Sequence, residues 1–198
     1  MLKKMFCSTA ICLGIVFSIS QNCTAQEKTK EELKAEHEVL KAEMKLEVTK
    51  KRQKEIEKLE AEPPKTCGVS SIDEIAENSK KLLLETKSLN EQVPKLYTRT
   101  IGETIDGITD VTVKKPTLEE LSSLAATITK QIKSVAESIA SIASASNDIK
   151  SLPLIQVPKA TKSLNYSKDV LGLTGPELQM NLKVINNLIA TLSSSQNN

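Results

Sequence analysis

Aromatic side chains are almost missing from this chain, which has no Trp, two Phe and two Tyr. Both Phe, Phe6 and Phe17, stand near the N-terminus, so the rest must build its core from Leu, Ile, Val and Ala. Such a composition suits helix-on-helix packing. It argues against sugar-binding platforms and base-stacking surfaces, which use ring faces. Histidine occurs once, as His37, so a zinc site would need carboxylates and a thiol with no ligand spacing behind them. His37 falls on a helical stripe and reads as a packing residue. The later glycines, Gly102, Gly107, Gly172 and Gly175, match neither a dinucleotide loop nor a P-loop. A Glu-x-x-His helix pair of the di-metal bundle type is also missing. The sequence nominates no catalytic, cofactor-binding or metal-ligating residue, and it implies no cofactor.

The N-terminus has the grammar of a secretory signal. Lys3 and Lys4 form a basic start, Met5 to Ile19 is apolar or small without a charge, and Cys23-Thr24-Ala25 presents small residues for cleavage after Ala25. The apolar run is shorter than the roughly 20 residues a membrane anchor needs. Ser20, Gln21 and Asn22 make a poor lipoprotein box ahead of Cys23. The expectation is an exported protein of the periplasm, cell envelope or exterior. Cleavage would remove Lys3 and Lys4 and no acid, which leaves 25 basic residues of the original 27 against 25 acidic ones. A neutral chain lacks the positive field that phosphate backbones require, so nucleic acid is not an expected partner.

Three of the four cysteines, Cys7, Cys12 and Cys23, would leave with the signal. Cys67 would then be alone, which rules out an internal disulfide. It stands in Pro63-Pro64-Lys65-Thr66-Cys67-Gly68. That stretch cannot be helical at its prolines and has no apolar period, so it reads as an exposed loop. Cys67 is therefore the one candidate site residue, as a free thiol or an intermolecular disulfide.

Proline divides the remainder into four segments of similar length. The charged segment 26–62 carries a thin stripe through Leu33, His37, Leu40, Met44, Val48, Ile56 and Leu59, lost across Lys50 to Lys54. It is expected as a coiled-coil-like helix, either a projecting arm or the fourth bundle member. Residues 63–70 form a Pro-rich linker. The bundle core spans 71–193, and 194–198 is a polar tail expected to be disordered.

Within the core, Ser71 and Glu74 can form a capping box. A heptad follows through Ile72, Ile75, Ser79, Leu82, Thr86, Leu89, Val93 and Leu96, where Pro94 should kink or restart the helix. Ile101, Ile105 and Ile108 continue a weaker stripe, and Val111 to Lys115 reads as extended chain. Thr117 and Glu120 make a second box. It opens the most regular heptad, Leu121, Ala125, Ile128, Ile132, Val135, Ile139, Ile142, Ser146 and Ile149. This helix is expected at the centre of the molecule, with Ile139 in its core. The last segment should break at Gly172-Leu173-Thr174-Gly175, with Pro176 opening a new helix. Asn165-Tyr166-Ser167 fits an N-glycosylation pattern that short sequences often match by chance.

Short connections between long helices imply antiparallel neighbours. The fold class expected is all-α, an elongated antiparallel bundle of three to four long helices with a charged N-terminal helix. The leading functional expectation is a non-enzymatic protein acting by helix-to-helix contact, with a protein partner or as a homo-oligomer. The alternative is a lipid-interacting protein that opens its bundle, motivated by the breaks and by the apolar turn Leu152-Pro153-Leu154-Ile155. Membrane contact is the less favoured, because the helix faces lack an aromatic belt and a basic side. An enzyme of unrecognised type comes third.

Overall fold

The computed structural model describes residues 28–101 and 114–196, and among them every regular element is helical. In chain order these are α1 (Lys30–Lys45), α2 (Glu47–Ala61), α3 (Ser70–Ile101), α4 (Leu118–Asp148) and α5 (Val157–Gln196), with one 3-10 turn (Ile149–Ser151) between the last two. The export signal expected over 1–25 lies outside the described residues, as does 102–113 with Ile105, Ile108 and the first part of the stretch Val111 to Lys115 expected as extended chain.

Side-chain pairings give the directions. Asn181 donates to Asn90 at 2.8 Å, and Tyr166 feels the charge of Glu77, so α3 and α5 run parallel. Gln131 donates to Glu85 at 2.9 Å while Arg99 meets Glu120 at 3.8 Å, so α4 runs antiparallel to α3. Asn187 donates to Glu36 at one level, and Arg52 meets Glu177 further along, so α1 and α2 descend against α5. The result is an up-and-down bundle with α3 and α5 as its inner pair. The two outer layers, α1–α2 on one side and α4 on the other, make no contact among the described residues. At about 1.5 Å per residue, the 32 residues of α3 span roughly 48 Å. The elongated all-α bundle is as expected from the sequence.

The central helix is α5, not α4, which corrects the expectation. It touches every other helix and buries Leu164, Val170, Leu178, Val184, Ile185 and Leu188 along its length. On α4, the residues Leu121, Ile128, Val135 and Ile142 are buried, yet Ile139 is 54% exposed. The cause lies in the partner helix. Val135 Cγ1 comes within 3.7 Å of where a Cβ on Gly175 would stand. Continued antiparallel by one turn, that register brings Ile139 level with Leu171 and Gly172. Gly172 has no side chain to offer, and nothing lies within 4 Å of its Cβ position. The heptad on α4 is regular, but the surface it meets has a gap.

The charged first segment packs against α5 and α3 instead of projecting. It is two helices, interrupted at Leu46, whose backbone is extended (φ −59°, ψ 145°). The interruption resets the helical phase. Leu33, His37 and Leu40 are buried before it, and Thr49 and Ile56 after it, while Val48 on the sequence-derived stripe is exposed. Thr49 Oγ1 donates to the Glu43 carbonyl at 2.9 Å, satisfying an acceptor that the break frees. α1 opens with a capping box between Thr29 and Glu32, a signal present in the sequence but passed over. The box between Thr117 and Glu120 forms as expected.

Neither expected helix restart occurs. α3 runs through Pro94 and α5 through Gly172, Gly175 and Pro176. Both prolines lie on exposed sides, where the carbonyl each leaves unbonded can be hydrated. Burial of α5 between three neighbours outweighs the roughly 1 kcal/mol that each helical glycine costs relative to Ala. Of the expected tail 194–198, residues 194–196 belong to α5, which continues to Gln196, and 197–198 lie outside the described residues.

Candidate functional site

Cys67, the one candidate from the sequence, is not an exposed thiol. It is 5% exposed and belongs to the main core with Ile72 and Ile75. Asp73 explains the difference. Its Oδ1 accepts from the Cys67 amide at 2.7 Å and its Oδ2 from the Gly68 amide at 3.0 Å, which folds the linker back over the start of α3. Gly68 makes the reversal possible with φ at +81°, a conformation that costs a residue with a Cβ. The helix then begins at Ser70, with the Val69 carbonyl accepting from Ile72 and Asp73. Asp73, not a Ser71–Glu74 box, organises this end. Burial raises the Asp73 carboxyl, but the amides of Cys67 and Gly68 outweigh it and hold the group below its ordinary value. Burial first, and the Asp73 carboxylate second, push the Cys67 thiol up. A thiol both covered and disfavoured as thiolate is a poor nucleophile.

His37 is buried and lies against Tyr97 with ring centroids 4.8 Å apart. This ring pair joins α1 to the far end of α3, where Asn187 also donates to the Leu33 carbonyl and to Glu36. Asp73 and Tyr97 stand 24 residues apart on one helix, so Cys67 and His37 are separated by roughly 35 Å. They cannot form a Cys–His pair. Among the described residues no group of three His, Cys, Asp or Glu side chains could hold a metal ion.

The most buried ion pair joins Arg52 Nε to Glu177 Oε1 at 2.6 Å, with Glu177 almost fully enclosed. It ties α2 to α5, beside the smaller core of Ile56, Leu83, Tyr166 and Val170. A second tie runs from Lys87 to Glu60, between α3 and α2. The sequence hid both, because partners far apart in the chain leave no periodic trace. Such pairs are structural: each carboxylate is neutralised by its cation and neither faces a nucleophile.

The clefts are open, and all but the one past Lys130 and Glu137 are lined more by apolar than by polar surface. One of about 310 Å³ opens at the His37 end, between Lys34, Thr100 and Thr191. Two more, of about 360 and 490 Å³, follow the α3–α4 groove past Lys95, Arg99, Lys130 and Glu137. A small cavity of about 90 Å³ lies under Pro63 to Thr66, where the buried hydroxyls of Ser163 and Tyr166 find no hydrogen-bond partner among the described residues. Burial, and then Glu77, raise the Tyr166 phenol. The Asn165-Tyr166-Ser167 pattern falls inside α5, where Ser167 is buried and donates to the Ser163 carbonyl at 3.1 Å. The folded chain does not present it as a loop.

What the molecule does present is the outward face of α4. Ala126, Ala136, Ala140, Ala143 and Ser144 are exposed there, and Ile139 stands beside them. No family model, curated protein or solved structure matches this chain.

Proposed function

We propose that this is an exported, non-enzymatic bundle that acts by helix-to-helix contact, as a homo-oligomer or as a subunit of a larger envelope or secreted assembly. The observation that carries the reading is the uncovered side of α4. Its one large exposed aliphatic, Ile139, is surrounded by alanine and serine that would let another backbone approach closely. A lone surface isoleucine would need no explanation; Ile139 is set apart by belonging to a heptad whose other members are buried or half-buried. The use of the buried charges as ties between helices favours contact over catalysis. A photo-reactive residue placed at position 139, with position 51 as control, tests this in the native host. Cross-links from 139 and not from 51 support it. Equal cross-linking from both positions, or none from 139, would overturn it.

A further inference from the structure

The charged first segment carries a second apolar seam. Ala35, Val39, Ala42 and Leu46 recur every three or four residues, so they share one side of α1 and its C-cap. All four are exposed, Val39 at 57% and Leu46 at 50%. The bundle is met by the opposite side, where Leu33, His37 and Leu40 are buried. A surface helix needs apolar residues on its packed side only. Yet three of the seven large hydrophobics exposed among the described residues, Val39, Leu46 and Val48, fall between positions 39 and 48. Scattered surface aliphatics need no explanation. A spacing of four, three and four is the spacing of a coiled-coil seam.

Size and charge select the partner. In a two-fold antiparallel pairing of this seam, Leu46 meets the partner's Ala35 and Val39 meets the partner's Ala42. Every large residue then faces a small one, which lets the layers interdigitate. A parallel pairing would stack like on like, and would oppose Glu38 to the partner's Glu43 and Glu31 to the partner's Glu36. Turned antiparallel, Glu38 meets the partner's Lys45 at both ends of the contact. Glu36 then stands near the partner's Glu43, but Lys28 lies 2.7 Å from Glu36 and offsets that charge. Four layers are too few to order a pair of free helices. Here α1 is already held on the bundle by Leu33, Leu40 and the Asn187 contacts, so association has no helix to fold.

We infer that the outward seam of α1 is a self-association surface, on which a second copy of this chain docks antiparallel. So short a seam makes a weak dimer that forms as concentration rises. The inference does not rest on the α4 face, which belongs to the opposite outer layer, and neither contact blocks the other.

Sedimentation equilibrium of the purified protein over a wide concentration range tests the inference. A monomer–dimer equilibrium is expected, and Val39→Glu, which places a charge in the seam, should weaken it about tenfold or more. Lys45→Glu should weaken it about threefold for each of the two pairs, and adding Glu38→Lys should restore it. All three side chains are exposed, so circular dichroism should show each variant folded. Disulfide formation in a Cys67→Ser background reads the orientation. Val39→Cys mixed with Ala42→Cys should cross-link faster than either variant alone. A monomer at every concentration, a dimer unmoved by Val39→Glu, no rescue by Glu38→Lys, or preferential cross-linking of either variant with itself would each overturn the inference. A dimer lost on Ile139→Asp and kept on Val39→Glu would overturn it too, while leaving the function proposed above in place.

Discussion

Ile128 and Ile139 occupy the two alternating apolar positions of the α4 heptad, and truncating them should have very different consequences. Ile128 is fully buried against the main core. Replacement by Ala removes three carbons, worth about 2.4 kcal/mol at about 0.8 kcal/mol for each buried group. The cavity left behind raises the total toward the range of about 2–5 kcal/mol. Ile139 is 54% exposed, so less than half of that transfer is at stake, about 1 kcal/mol. The better helix propensity of Ala returns a few tenths of it. Urea unfolding followed by circular dichroism should therefore separate Ile128→Ala from Ile139→Ala by at least about 1.5 kcal/mol. In melting temperature the gap should be several degrees, at about 2–4 °C per kcal/mol for a domain of this size. Equal losses would mean that Ile139 is covered, and that the gap at Gly172 does not shape this surface.

Three further outcomes follow from the buried polar groups. Cys67 should react slowly with a maleimide in native protein and rapidly in urea; fast native labelling would put the thiol outside the core. Asp73 has its folded carboxyl held below the ordinary value of 3.8, so it stabilises the fold above that pH and the contribution fades as pH falls through the lowered value. Asp73→Asn, which cannot titrate, should flatten the acid side of the stability profile, and an unchanged profile would remove Asp73 from this role. Arg52→Met should cost about 3 kcal/mol by leaving Glu177 buried without its cation, and adding Glu177→Met should restore most of the loss. A double variant no more stable than the single one would show that the pair matters for its shape and not its charge.

The long periodic runs made most of the architecture legible in the sequence. Heptads on α3 and α4 and the Thr117–Glu120 box report local geometry, which a single segment carries by itself. What failed depended on the surface opposite. Ile139 shares its heptad position with Ala125, Ile132 and Ser146, all half-buried, and which of the two apolar positions faces the core is decided by the helix opposite. Pro94 and Pro176 break isolated helices but are tolerated here, because each lies on an exposed side of a helix whose other face is packed. Cys67 looked like loop because Pro63 and Pro64 precede it, while the two amides gathered by Asp73 decide its burial. The Arg52–Glu177 tie spans most of the chain and has no local signature at all.

The claim that the α4 face is covered by another helix in the protein's working state can be tested directly by alkylating Ile139→Cys in a Cys67→Ser background. Rates should be measured for dilute purified protein and for protein in its native envelope or secreted fraction. Dilute protein should react at the speed of an accessible thiol. The native preparation should react several-fold more slowly, while a control thiol at Lys51→Cys keeps the same rate in both. Equal rates at position 139 in the two settings would contradict the account.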